Sequence, residues 1–153
     1  MKFDWSNYLK LAKTLLAEVD ASLNEVNDST STPIDPGINE AKLRCLISRA
    51  YYSVFCLARN YLIEIDHDIE VENSKKYNTN VHEDVITKFR YSQDTDYHKI
   101  SNNLYSMRKY RNEADYNDCI PYHLLNTARN TIDLANRTII LLEKLKNKKL
   151  SQK

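Results

Sequence analysis

The fold is decided by residues 41–65, AKLRCLISRAYYSVFCLARNYLIEI, a segment that contains neither glycine nor proline. At about 100° per residue, one broad helical face is apolar throughout. That face consists of Leu43, Ile47, Ala50, Tyr51, Val54, Leu57, Ala58, Tyr61, Leu62 and Ile65. A second apolar stripe, almost opposite, consists of Cys45, Tyr52, Cys56 and Ile63. A helix with two apolar sides needs neighbours on both, so the pattern predicts the central helix of a bundle. Arg49 interrupts the pattern and needs a partner, or it lines a site.

Composition favours a single all-α domain. The 153 residues include one glycine and three prolines, which is typical of long helices with few tight turns. Twenty-two basic and 21 acidic residues leave a net charge of +1, so bulk charge indicates neither a nucleic-acid nor a membrane partner. A local basic patch stays open as an alternative.

Cellular location follows from what the chain lacks. No apolar run approaches the ~20 residues that span a bilayer, and MKFDWSNY does not resemble a signal peptide. We expect a cytoplasmic protein without a membrane partner. In that reducing compartment Cys45 and Cys56 are predicted to be buried free thiols, and Cys119 to lie near a loop.

The apolar periodicity predicts an all-α fold of about five helices. These are expected at about 4–26, 41–65, 81–91, 95–115 and 121–146, with Asn80 and Pro121 as helix-start signals. Residues 27–37 are read as a polar connection and 66–80 as a long exposed loop. Residues 1–147 would form the domain. Residues 148–153 would form a basic, solvated tail, with electrostatic contact to RNA as the alternative.

The densest polar cluster is SMRKYRNEADYNDC, Ser106 to Cys119. The inner stripe of this helix is predicted to be Ile100, Leu104, Met107, Arg111 and Ala114, so an arginine occupies a core position. Arg111 and Asp115 form an i, i+4 pair, and Arg108 shares their face. One interpretation is an intrahelical ion pair joined by Arg49. The other is an anion or phosphate site, because guanidinium groups bind phosphate oxygens bidentately.

Two signatures, ISRAYYSVFCLA at 47–58 and LYSMRKYRNEADY at 104–116, resemble the HEPN superfamily, most closely its small stand-alone prokaryotic members. The resemblance implies an up-and-down helical bundle that dimerises about the arginine-bearing helix. Many members are metal-independent ribonucleases of toxin–antitoxin, CRISPR-linked or phage-defence systems, often paired with a nucleotidyltransferase antitoxin. Others are non-catalytic.

The ribonuclease members carry an arginine, a polar residue, three variable positions and a histidine. Here Arg111 and Asn112 match, but Tyr116 stands at the histidine position. A phenol with a pKa near 10 is a poor base at neutral pH, where an imidazole near 6.5 can serve. Tyr116 could still donate a proton or a hydrogen bond, and Arg111 could still stabilise charge on phosphorus.

The predicted catalytic residues are therefore Arg111, Asn112 and Tyr116, and the predicted binding residues are Arg49, Tyr52, Arg108, Asp115 and His82. His82 and His123 are the histidines that could fold towards Arg111, with a capping or surface position as the alternative for both. No cofactor or metal is predicted, because HxxxH and CxxC spacings and a glycine-rich phosphate loop are all absent.

Two classes of function remain. The first is an RNA- or nucleotide-binding HEPN protein, with its site at a dimer cleft. The second is a non-catalytic interaction module in which the same residues form a buried ion-pair network.

Overall fold

The computed structural model describes residues 3–25, 35–120 and 123–152, and within these ranges it contains six helices and no strand. The helices are α1 (Ser6–Glu25), α2 (Pro36–Glu64), α3 (Ile69–Tyr77), α4 (Val81–Arg90), α5 (Thr95–Tyr116) and α6 (Leu124–Leu150). The all-α prediction is confirmed, and the described residues form six helices where about five were predicted. Most of the predicted 27–37 connection, and Pro121, lie outside the described residues.

The central position of α2 is confirmed, because this helix packs against each of the other five. Leu46, Ile47, Tyr51 and Val54 are fully buried along it. It begins earlier than predicted, because Pro36 occupies its first turn and the Asp35 carboxylate accepts a 2.8 Å hydrogen bond from the amide of Gly37. Pro36 and Gly37, which were predicted to belong to the connection, therefore form the start of α2.

The second stripe of α2 is covered only in part. Cys56 is buried as predicted, whereas Cys45 is exposed, and so is Cys119. The aromatic contacts of α4 with this side of α2 begin at Tyr52, whose ring centroid lies 5.9 Å from that of His82. Cys45 precedes Tyr52 by nearly two turns, and the prediction that it is buried is wrong.

Helix α3 replaces the predicted 66–80 loop. The Asp68 carboxylate caps it by accepting a 3.0 Å hydrogen bond from the amide of Val71, and it ends at Asn78 with a left-handed φ of 53°. Val71 is its only buried residue, so no apolar period marks the helix in the sequence. Asn80 precedes α4 as predicted, but its side chain makes no capping hydrogen bond.

The two long C-terminal helices follow their predicted stripes. Ile100, Leu104 and Met107 of α5 are fully buried. Ala128, Ile132, Ala135 and Leu142 of α6 are buried too, and Leu125 and Ile139 pack against the core.

The predicted basic tail overlaps the end of α6, because the helix continues to Leu150. Lys148 Nζ lies 3.2 Å from a carboxylate oxygen of Asp94, and Lys149 pairs closely with Asp66. Lys148 and residues 150–152 are exposed, and Lys149 is partly buried. No helix in the described part of the chain is long and apolar enough to cross a membrane.

Candidate functional site

Arg111 is the centre of the predicted site and is held on several sides. Its side chain, only 16% exposed, occupies the core stripe of α5 one turn beyond Met107. Nη2 donates a 2.9 Å hydrogen bond to the Tyr52 hydroxyl, and Nη1 donates one of 3.1 Å to the side-chain oxygen of Asn112. Tyr52 of α2 thus holds an arginine of α5 between the two helices.

Asp115 supplies the charge opposite Arg111. Its Oδ2 lies 2.7 Å from Arg111 Nε, as the i, i+4 spacing predicts. Because this Nε has no aligned hydrogen-bond partner among the described residues, the contact is an ion pair without a well-directed N–H···O bond. Burial lowers the pKa of Arg111, but Tyr52, Asp115 and Tyr116 together raise it above the ordinary value. Arg111 remains a cation.

Arg49 does not join this ion pair directly. Its guanidinium lies over the Tyr8 ring at 5.0 Å and the Tyr52 ring at 5.5 Å. Its Nη2 is 3.5 Å from the Ser48 hydroxyl, which in turn donates to Asp115 Oδ2 at 3.3 Å. Within the described residues Arg49 forms no salt bridge, so the predicted ion-pair triad is replaced by an aromatic contact and a serine relay.

Tyr116 lies at the open side of the site. Arg111 is 5.1 Å from the centroid of its ring, and the same guanidinium is 5.1 Å from the ring of Tyr52. Tyr116 is nevertheless 71% exposed, as the last residue of α5. One aromatic contact of Arg111 is therefore embedded in the bundle and the other is accessible to solvent.

His82 and Arg108 lie beside Arg111 and Tyr52. Arg108 Nη1 lies 2.5 Å from a carboxylate oxygen of Glu83. The half-buried His82 ring stacks on Phe55, with centroids 4.0 Å apart, and its Nδ1 is 2.7 Å from the Tyr51 hydroxyl. Burial, together with Arg108, Arg111 and Arg59, lowers the pKa of His82 to about 4. The imidazole is neutral at physiological pH.

The other predicted histidine is not placed in the cluster. His123 immediately precedes α6 and makes no side-chain capping bond. The predicted members of the site that the structure brings together are Tyr52, His82, Arg108, Arg111, Asn112, Asp115 and Tyr116, with Arg49 at the edge through Tyr52. No group of three metal-ligating side chains occurs in the described ranges.

Arg44 supports the site and was missed by the sequence reasoning. Its guanidinium donates to the carbonyl oxygens of Ala114, Asn117 and Asp118 at 3.0, 2.7 and 3.3 Å. These carbonyls lie at the C-terminal end of α5, where backbone acceptors lack helical partners. Helices often end at a glycine, but this chain has only one. The small number of glycines could have indicated that a side chain caps the end of α5.

The arrangement holds a cation beside a solvent-accessible tyrosine. A guanidinium has five N–H groups, and two of those on Arg111 donate to described side chains. The Tyr116 side is open, and the neutral His82 and its neighbour Arg108 extend the polar surface.

No family model, curated protein or solved structure matches the chain. The HEPN resemblance therefore remains a prediction from the two sequence signatures.

Proposed function

We propose that this chain is a HEPN-type RNA- or nucleotide-binding protein of a toxin–antitoxin or defence system, and that Arg111 binds a phosphate group. The observation that supports this most is the fixing of Arg111 by Tyr52 and Asn112 beside an exposed tyrosine. A guanidinium whose rotamer is already restricted loses little entropy on binding an anion.

Phosphate would approach from the Tyr116 side. The N–H groups on Nη1 and Nη2 of Arg111 that do not donate to Asn112 and Tyr52 would meet two phosphate oxygens, and the Tyr116 hydroxyl would add a neutral donor. Asp115 opposes this binding, because its carboxylate already neutralises Arg111 at 2.7 Å. Affinity would therefore be set by competition between Asp115 and the phosphate.

Should the protein be an enzyme, its activity would be that of a metal-independent endoribonuclease. The 2′-oxygen of the RNA would displace the 5′-oxygen at phosphorus, with solvent water taking up the 2′-hydroxyl proton. Arg111 would stabilise charge on the scissile phosphate, and Tyr116 would protonate the leaving oxygen and regain its proton from water. The proposal includes a homodimer about α5 and a nucleotidyltransferase-type antitoxin as the protein partner.

A second candidate is a non-catalytic interaction module. The ion pair of Arg111 with Asp115 and the bond to Tyr52 favour it, because together they neutralise and anchor the arginine inside one chain. Exposed Tyr116 would then contact a partner protein.

An RNA-binding and cleavage assay separates the candidates. A single-stranded RNA without terminal phosphates is titrated by fluorescence anisotropy against wild type, Arg111→Ala and Arg137→Ala. Arg137 is a matched control, since its Nη2 pairs with Asp133 at 2.6 Å with the same i, i+4 spacing on α6. We expect Arg111→Ala to weaken binding about tenfold or more and Arg137→Ala to leave it unchanged, since a hydrogen-bonded charge contributes ~1.5–3 kcal/mol. Equal binding by both variants would overturn the anion site and favour the module, whereas equal cleavage by wild type and Arg111→Ala would overturn only the ribonuclease activity.

A further inference from the structure

His82 is held in one orientation by α2. Its ring stacks on Phe55 at an interplanar angle of 24° and meets Tyr52 edge-on, with centroids 5.9 Å apart. Its Nδ1 is 2.7 Å from the hydroxyl of Tyr51, which is fully buried. Burial raises the pKa of Tyr51, so this hydroxyl keeps its proton.

The Tyr51 contact determines where the ring proton of His82 lies. A hydroxyl that donates to Nδ1 leaves the proton of the neutral imidazole on Nε2. A second proton can be added at Nδ1 if the Tyr51 hydroxyl rotates, because the phenol oxygen then accepts the hydrogen bond. The buried contact is thus compatible with both protonation states.

The charged groups around His82 are mainly cations. Arg108 and Arg111 face it from α5, and Arg59 faces it from α2. On its own helix the adjacent Glu83 is engaged by Arg108. The same Tyr52 that contacts the His82 ring accepts the hydrogen bond from Arg111, so one tyrosine connects the imidazole to the proposed phosphate site.

We propose that His82 is a proton-coupled anion ligand of the Arg111 site: an anion bound there offsets the surrounding guanidinium charges, and the imidazole takes up a proton at Nδ1 while Nε2–H faces the anion. This rests on the proposed function and adds a regulatory property to it. The chain would hold anions more tightly as the pH falls.

The size of the effect follows from linkage. In the free chain the pKa of His82 is about 4, against an ordinary value of 6.5. Burial, the largest cause of the low pKa, persists when an anion binds, so the anion restores only part of the difference. If the pKa of His82 rises to about 6, binding is about fourfold tighter at about pH 5.5 than at about pH 7. At a pH below the ordinary pKa of histidine, His82 would then take up a proton as the anion binds.

Inorganic sulfate is the probe, because its charge does not change over this pH interval. Wild type with isotopically labelled histidine is titrated by NMR with and without saturating sulfate, and sulfate affinity is measured at both pH values. We expect the pKa of His82 to rise from about 4 to about 6 on binding, together with the fourfold gain in affinity. His82→Gln, which keeps an amide donor, should bind sulfate without the pH dependence. His98→Gln should retain the pH dependence, since His98 Nε2 is exposed and contacts only the Ser92 carbonyl among the described residues.

Two different failures can be told apart. If Arg111→Ala binds sulfate as well as wild type does, the phosphate site itself is wrong. If binding needs Arg111 but the His82 signals do not titrate differently with sulfate, the proton coupling alone is overturned. The NMR measurement on wild type remains decisive even if His82→Gln does not fold.

Discussion

Replacing Arg44 by methionine tests how the site-bearing end of α5 is held. Methionine keeps most of the aliphatic stem and removes the guanidinium, which donates to three carbonyls at distances of 2.7–3.3 Å. The bond to the Ala114 carbonyl is partly buried and is assigned about 1.5 kcal/mol, whereas the two exposed bonds are assigned about 0.5 kcal/mol each because water can replace them. The exposed ion pair of Arg44 with Glu40 contributes at most a few tenths of a kcal/mol. The free energy of unfolding should therefore fall by about 2.5 kcal/mol.

Urea denaturation followed by circular dichroism measures this loss. With a slope of roughly 1–3 kcal/mol/M for a small domain, the midpoint should move down by about 1 M or more. Arg129→Met is the matched control, because Arg129 makes a single 2.7 Å ion pair with Asp20 and both side chains are more than one-third exposed. That variant should lose less than about 0.5 kcal/mol. Equal midpoints for the two variants would refute the capping role of Arg44.

Two further predictions concern His82 and the thiols. As the pH falls from about 7 to about 5, wild type should lose about 1 kcal/mol more stability than His82→Gln in pH-dependent urea titrations. The unfolded chain takes up the proton near 6.5 and the folded chain only near 4, and the resulting ~2 kcal/mol is halved for a half-exposed ring. A wild-type profile parallel to that of the variant would contradict this. In the folded protein a thiol reagent should label Cys45 and Cys119 within minutes and Cys56 only after denaturation, because Cys56 is buried and burial raises the pKa of its thiol. Rapid labelling of Cys56, or protection of Cys45, would show that the packing on α2 is wrong.

The elements with a strong apolar period were predictable from sequence. The stripe Ile100, Leu104, Met107 is buried where the spacing placed it, because a long helix with one apolar face has one way to turn towards a core. Helix α3 carried no such pattern, since its single buried residue, Val71, makes no period. It is stabilised by its Asp68 cap and by ion pairs of Lys88 with Asp68 and Glu70. Such interactions depend on which segments meet in space.

The site was predictable where neighbours lie on one helix. The pair Arg111 and Asp115 followed from i, i+4 spacing, and the structure confirms it at 2.7 Å. Contacts between helices were not fixed by spacing. Arg49 was expected to meet Asp115 but lies over aromatic rings, and Arg44 reaches carbonyls some 70 positions away in the chain. Long arginine side chains can reach several partners, and packing decides among them.

The most direct test of the central claim, that Arg111 is an anion site held in check by Asp115, is the RNA affinity of Asp115→Asn. The ion pair is mostly buried, with side-chain exposures of 16% and 24%, so we assign it about 1 kcal/mol, the upper end for such pairs. Removing its charge should tighten RNA binding about fivefold in fluorescence anisotropy. Asp133→Asn, which breaks the exposed Arg137 pair on α6, should leave affinity unchanged. If Asp115→Asn binds RNA no better than Asp133→Asn, or binds it more weakly, then Asp115 does not compete with phosphate and the central claim is contradicted.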